Sequence, residues 1–344
     1  MLWLGGAGRR GYTRRGMDIA ARLLDGDVRA LARAIRLVED RDPAAEEVLR
    51  GVRGRAGTAH VIGVTGAPGS GKSTVCDQLI ERWRAARHRV GVIAVDPSSP
   101  FSGGAILGDR VRMQRHTGDG GVYIRSMAAR GHLGGLAGAA REAIRLIDAS
   151  GRDRCLIETV GVGQSELEVM RTVDTTVVVA TPVSGDSVQI LKAGILEIAD
   201  VFVVNKADLP GASKVARELR DMVRQTKGMT DWRPPVIPTT GTSGEGVDEL
   251  FDAIERHHAV IAGNGELQNR RRDRLQAEIE AIVVERASER ARRELEEGTM
   301  GAELSGDLRG VDPYAIADRI LNAPQAELTD GTDNPAQAAG TGDP

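Results

Sequence analysis

The sequence predicts an α/β protein: a mostly parallel sheet flanked by helices, with helical extensions at both ends. Three observations predict it. A short apolar segment, His60–Thr65, runs into Gly66-Ala67-Pro68-Gly69-Ser70-Gly71-Lys72-Ser73-Thr74, which fits G-x-x-x-x-G-K-[ST], and Val75, Leu79, Ile80 and Trp83 then recur at helical spacing. Beyond that loop, strand-like and helix-like segments alternate as in strands joined by crossover helices. Outside this region the apolar residues follow helical spacing alone.

Size and composition narrow the classes. At 344 residues, 41% hydrophobic and 28% charged, the chain can bury a full core and reads as an ordinary soluble protein. A formal net charge of -3 gives no reason to expect nucleic acid as a partner, and 3% aromatics provide neither a base-stacking platform nor a membrane belt. No run approaches the ~18 apolar residues that cross a bilayer. Cys76 follows the glycine-rich loop on a helix and Cys155 lies in an apolar strand, so each reads as a small core residue rather than half of a disulfide. A cytoplasmic location is the expectation.

Taken in order, residues 1–16 carry Arg9, Arg10, Arg14 and Arg15 and read as a disordered basic extension. Residues 17–57 form a helical N-terminal subdomain: Ile19, Leu23, Val28, Leu31, Ile35 and Val38 mark one face, Gly26-Asp27 breaks it, and Asp42-Pro43 opens a helix carrying Val48, Leu49 and Val52. Residues 58–262 hold the sheet. After His60–Thr65 its strands are expected at Arg89–Val95, Val122–Ile124, Cys155–Ile157, Thr176–Ala180, Val201–Val204 and Val236–Pro238. Residues 263–322 form a helical arm. A helix from about Leu267 to Glu297 would reach ~45 Å, and its stripe of Leu275, Ile279, Ile282 and Val283 needs a cover, either a second copy of the chain or the sheet domain itself. Asp312-Pro313 opens a last short helix, and residues 323–344 read as a disordered tail.

The loop at Gly66–Thr74 is built for phosphate. Its glycines let backbone N–H groups turn inward, Lys72 adds a cation for the β and γ oxygens, and the Ser73 hydroxyl is placed to ligate Mg²⁺. Asn205-Lys206-Ala207-Asp208, at the end of an apolar strand, is the tetrapeptide N-K-x-D. A carboxylate at Asp208 accepts from both N1–H and the 2-amino group of guanine, donors that adenine lacks there. The stem of Lys206 covers the base, and the Asn205 amide ties this loop to the phosphate loop. Thr240-Gly241-Thr242 follows the last strand, where a backbone N–H can reach the guanine O6. GTP and GDP are therefore the expected ligands.

Glu158 ends a buried strand three residues before Gly161. It can hold Mg²⁺ through water while the Gly161 N–H senses the γ-phosphate, or it can merely cap the next turn. Val162 stands where Ras-like proteins place a water-orienting Gln, and Gln164 is out of register, so hydrolysis should be slow alone. Asp96 and Asp109 are candidate magnesium-shell ligands, with an Asx turn before proline and a helix cap as their alternatives. Lys72, Glu158, Asp96 and Gly161 are the candidate catalytic set. A nickel-handling GTPase would show clustered His or Cys, which this chain lacks; a P-loop kinase or ATPase fits the phosphate loop but not N-K-x-D.

With these motifs the sequence resembles the P-loop GTPases that act as metallocentre and cobalamin chaperones, in particular the MeaB/ArgK/MMAA type. The resemblance covers about Met17 to Leu321 and rests on the phosphate loop, VDPSSPFSGGAILGDR at 95–110, RGHLGGL at 130–136, ETVGVGQSE at 158–166 and GILEIAD at 194–200. It implies a GTP-hydrolysing, homodimeric chaperone that gates adenosylcobalamin loading and protects or reactivates an acyl-CoA mutase such as methylmalonyl-CoA mutase. The family's additional switch loop falls on residues 184–192, so Asp186, Gln189 and Lys192, with Gln164, are implied partner-responsive residues. Pro182-Val183-Ser184 and Ser187 depart from the commonest family pattern. No D-x-H-x-x-G cobalamin sequence is present, so cobalamin is expected on the partner.

Overall fold

Seven strands, β1 (His60–Gly66), β2 (Val90–Pro97), β3 (Val122–Ala129), β4 (Arg154–Glu158), β5 (Thr175–Ala180), β6 (Val201–Asn205) and β7 (Val236–Thr239), form one sheet in the order β3-β2-β4-β1-β5-β6-β7. All pairings are parallel. Every strand expected from the sequence is present. The computed structural model describes residues 7–97, 114–116, 118–129, 135–159, 161, 168–182, 195–226, 231–296, 301, 304 and 308–322. Two compact units divide the chain, Met1–Gln276 and Ala277–Pro344.

Helices cover both faces of the sheet, which is why its strands are apolar at successive positions rather than alternate ones. Val61, Ile93, Val95, Cys155 and Ile157 face a layer made by α1 (Ala7–Leu24), α2 (Val28–Glu39), α3 (Ala44–Val52) and α5 (Gly135–Ala149). Ile62, Val64, Val92, Leu156, Val177 and Val203 face α4 (Lys72–Ala85) and α8 (Val247–Gly263). Two further helices are the short α6 (Ile195–Ile198) and α7 (Ala212–Thr226), and α7 packs on Phe202 and Val204. The N-terminal helices thus share one core with the sheet. Gly26 (φ 87°) makes the expected break after α1, and Asp27 Oδ1 then caps α2 by accepting from Arg29 N at 2.8 Å and Ala30 N at 3.2 Å. Helix α1 starts at Ala7, inside the 1–16 stretch that the sequence reads as disordered. Arginine is a good helix former, so these residues extend the register set by Ile19 and Leu23.

Under the sheet, α9 (Glu266–Glu296) begins on two buried carboxylates at the starts of β5 and β6. Arg270 forks onto Asp200 with both distances 3.1 Å, and Arg271 Nη2 donates to Asp174 Oδ2 and to Ala59 O at 2.9 Å each. Arg274 adds a bond to Asp174 and one to Thr172 O at 2.6 Å. Asp174 and Asp200 also accept from the amides of Val61 and Thr176, so strand, loop and helix meet at each carboxylate. In the second unit α10 (Pro313–Asn322) is capped by Asp312 Oδ1, which accepts from Tyr314 N at 2.9 Å. Among the described residues no helix is long and apolar enough to cross a membrane.

Candidate functional site

Strand β1 lies at the centre of the sheet between β4 and β5, both later in the chain, so the connections diverge above its carboxyl end. Ligands of open parallel sheets collect at such a point. The chain leaves β1 through Gly66 (φ 151°), Gly69 (φ 75°) and Gly71 (φ 89°) before α4 starts at Lys72. A Cβ at Gly66 would overlap the Val179 carbonyl oxygen, and one at Gly71 the Asn205 side-chain nitrogen, so only glycine fits at either place. The residue before α4 is glycine and supplies no side-chain cap, and the start of a helix is where backbone N–H groups meet anions. Lys72, buried in the loop, donates from Nζ to Gly66 O at 2.9 Å and Ala67 O at 3.1 Å. Its ammonium is thereby held beside the amides that would face phosphate.

One residue further, the Ser73 hydroxyl donates to Glu158 Oε1 at 2.6 Å. Both residues are buried, at 5% and 3% exposure. Register places Glu158 beside Val64 of β1, which explains why a carboxylate at the end of β4 meets the first turn of α4. The pair offers hard oxygens only, and Mg²⁺ characteristically takes one or two protein oxygens plus waters and phosphates, so the donor set fits that ion. Among the described residues no group of three His, Cys, Asp or Glu is placed to hold a metal. Two residues to which the sequence reading gave no role complete this corner. Thr65 Oγ1 donates to Gly161 O at 2.9 Å, and Thr159 Oγ1 donates to Thr65 Oγ1 at 3.0 Å, fixing the chain after β4 against β1. The signal for them was a threonine at the carboxyl end of each of two neighbouring strands.

At the other end of the site Asn205, 3% exposed, joins three segments. Its Nδ2 donates to Ser70 O at 2.8 Å, while its Oδ1 accepts from Gly241 N at 3.0 Å and Thr239 Oγ1 at 3.2 Å. Lys206 follows with φ 58°, an uncommon conformation for a side-chain-bearing residue, and Ala207 N donates to Thr239 O at 3.0 Å. Asp208 then stands exposed at the tip of the turn. Thr240 accepts through its carbonyl from Ser243 N and Gly244 N, so 240–244 closes as a tight turn with Gly241 packed near Thr74 and Thr242 exposed.

Asp96 is the last residue but one of β2, in register with Ala128. Its side chain, together with Asp109, Gln164, Asp186, Gln189 and Lys192, lies outside the described residues.

A parallel sheet with a glycine-rich phosphate loop at its switch point and N-K-x-D two strands away defines a P-loop nucleotide-binding protein. The family profile described as methylmalonyl-CoA mutase-associated GTPase MeaB matches residues 31–296. The chain belongs to that family of P-loop GTPases. It is 46% identical over 309 residues to a Pyrococcus horikoshii protein named as a GTPase, covering 88% of this chain and 96% of that one. It is 37% identical to GTPase ArgK of Escherichia coli over 72% of this chain and 77% of that protein. It is also 39% identical to the mouse methylmalonic aciduria type A homolog, mitochondrial, over 61% of this chain and 52% of that protein. Among solved structures, a protein titled LAO/AO transport system kinase superimposes with a TM-score of 0.64 at 26% identity, covering 88% of this chain and 95% of that one.

Proposed function

We propose that the chain is a Mg²⁺-dependent GTP hydrolase serving as a chaperone of an adenosylcobalamin-dependent acyl-CoA mutase, methylmalonyl-CoA mutase being the first candidate. The observation that carries the nucleotide half is Asn205, whose amide bonds to Ser70 O and Gly241 N tie the phosphate loop to the guanine-side loop. Gly66–Thr74 would hold the phosphates, with Lys72 on the β and γ oxygens. Asp208 would read N1–H and the 2-amino group, Lys206 would cover the base, and the Thr240–Thr242 turn would meet O6. Ser73 and Glu158 would hold Mg²⁺, with Asp96 and Asp109 as further candidates. When bound, the ion supplies charge neutralisation between the β and γ phosphates. Gly161, anchored by Thr65 and Thr159, would present its N–H to the γ-phosphate. In sequence Val162 stands where Ras-like proteins have a water-orienting Gln, so the reading includes a slow basal rate that rises on partner binding.

The mutase half is supported by the family's description and by the mouse relative. Gating of adenosylcobalamin loading and protection or reactivation of the mutase belong to this reading, with Gln164, Asp186, Gln189 and Lys192 as partner-responsive residues and a cytoplasmic setting. The proposed parts are residues 17–57, the GTPase domain 58–262 and the arm 263–322. On that arm the stripe of Leu275, Ile279, Ile282 and Val283 would be covered by a second copy of the chain. The deciding experiment is calorimetry with magnesium: GTP and GDP should bind and ATP should not, and Lys72→Ala should abolish phosphate release. Equal binding of ATP would overturn the base assignment. Sedimentation should give a dimer that Val283→Glu converts to monomer.

A further inference from the structure

Helix α4 grows out of the phosphate loop, and Thr74, Gln78 and Arg82 follow one another along it at four-residue steps, forming one row about 12 Å long on one face. The row lies against the turn that follows β7. Nearest the phosphate loop, Thr74 Cγ2 packs 3.2 Å from where a Cβ on Gly241 would stand. Further along, Gln78 Oε1 and Arg82 Nη2 are each 3.1 Å from the corresponding point on Gly244, whose φ of 80° lets the chain turn back over them. Arg82 Nη1 donates to Gln78 Oε1, which fixes the two side chains to each other, and Arg82 Nε donates to Asp248 Oδ1 at 2.9 Å in the first turn of α8.

Between these two seats the turn has little freedom. Thr240 N donates to Glu245 O at 3.0 Å, and Thr240 O accepts from Ser243 N at 3.0 Å and Gly244 N at 2.9 Å. The Gly241 N–H is taken by Asn205 Oδ1. Among the described residues Thr242 N has no hydrogen-bond partner, and Thr242 is exposed. It is the donor that this turn leaves for a ligand.

We propose that Gln78 and Arg82 are positioning residues for base recognition: by backing Gly244 they set where the Thr242 N–H lies, and through it how strongly the guanine O6 is read. The inference rests on the GTPase reading and deepens it. Asp208 would read the N1–H and 2-amino edge, so the α4 row would govern the O6 contact and not that one. The ion pair is the lesser part of the seat, since the Asp248 side chain is 85% exposed and exposed pairs contribute little. Arg82 acts mainly by packing its stem and guanidinium beneath the turn.

The test measures, with Mg²⁺, the affinities of GDP, inosine diphosphate and 6-thioguanosine diphosphate for the full chain and for Gln78→Ala, Gln78→Glu, Arg82→Ala and Asp248→Ala. Inosine lacks the 2-amino group and keeps O6; the thio compound keeps both donors and replaces O6 by sulfur, a weaker acceptor. The unaltered protein should bind GDP better than either. In Gln78→Ala and Arg82→Ala, GDP should bind about tenfold more weakly, its preference over the thio compound should shrink at least about threefold, and its preference over inosine diphosphate should hold within about twofold. Gln78→Glu, which keeps an acceptor for Arg82, and Asp248→Ala should stay within about threefold throughout. Each ratio is taken on one preparation, so a share that fails to fold cancels. A row that served stability alone would weaken all three ligands in proportion, and that result overturns the inference. So does unchanged GDP affinity in Arg82→Ala, an equal loss in Asp248→Ala, or no preference for GDP over the thio compound in the unaltered protein. If the unaltered protein binds no guanine nucleotide, the proposed function falls first; if it binds GDP and the variants keep both preferences, the inference falls alone.

Discussion

Asp208 is exposed at the tip of its turn, so its value lies in what it offers a ligand rather than in folding. Two carboxylate oxygens match two guanine donors; an amide would set one donor against the 2-amino group. Asp208→Asn should therefore weaken GDP about 10²-fold or more while improving xanthosine diphosphate, whose 2-carbonyl accepts from that amide. Competition binding of the two diphosphates checks this, and an unchanged preference for guanine would remove Asp208 from the site. Gly71 is constrained twice, by φ 89° and by the Asn205 amide nitrogen lying where its Cβ would be. In Gly71→Ala that amide must leave Ser70 O, separating the two ends of the site. Nucleotide affinity should drop more than tenfold, with the far-ultraviolet circular dichroism unchanged. The cost of the left-handed backbone itself is about 1–3 kcal/mol.

Among the elements, the root of α9 holds the most deeply buried charge. Burial alone would lift the Asp174 carboxyl, but Arg271, Arg274 and the Val61 amide outweigh it and hold its pKa at about 2 against an ordinary 3.8. A depressed carboxylate stabilises the fold fully above the unfolded value and loses that contribution as pH falls through the folded one. The window is therefore pH 4 down to 2, and the linkage is worth about 2 kcal/mol. Asp174→Asn should cost about 3 kcal/mol at pH 7, where it leaves Arg271 and Arg274 without this carboxylate, and its deficit should shrink below pH 3 in denaturant titrations. His60 stacks on His258 at 4.0 Å, and burial depresses both pKa values, so each takes up a proton less readily in the folded chain than in the unfolded one. Below about pH 6.5 the unfolded chain gains protons that the folded one refuses, and stability should already decline there. The strands and the phosphate loop were legible because a buried parallel strand must be apolar throughout and a phosphate loop must be glycine-rich. The root of α9 was not: Arg270-Arg271-Arg272-Asp273-Arg274 looks like any solvated run, and its partners Asp174 and Asp200 are some 70 to 100 residues away. Burial of those carboxylates is a property of the assembled sheet, with no local pattern. In the site, Asn205 and Lys72 were legible from motifs, whereas the Thr65–Thr159–Gly161 anchor depends on β1 and β4 being neighbours, which spacing alone does not specify.

For the whole molecule the proposed chaperone role makes a quantitative demand. A nucleotide that binds only the folded state raises its stability by RT ln(1 + [L]/Kd), about 2.7 kcal/mol at a hundredfold excess over Kd. GDP with magnesium should accordingly raise the unfolding temperature by several degrees, and adenine nucleotides should not. Gating asks for more than binding. GDP and a non-hydrolysable GTP analogue must differ in how tightly the complex with the mutase holds, since a ligand shifts an equilibrium only through differential affinity. Linkage then fixes a second measurement: whatever factor the analogue gives to mutase affinity relative to GDP, the mutase must give to analogue affinity relative to GDP. Typical couplings of 1–3 kcal/mol put that factor between about 5 and 150. Titrating mutase into the two nucleotide forms, and the two nucleotides into free and mutase-bound protein, should give equal ratios well above one. Ratios of one in both directions would leave a GTPase that binds a mutase without gating it, and the regulatory reading would fail while the nucleotide site stood.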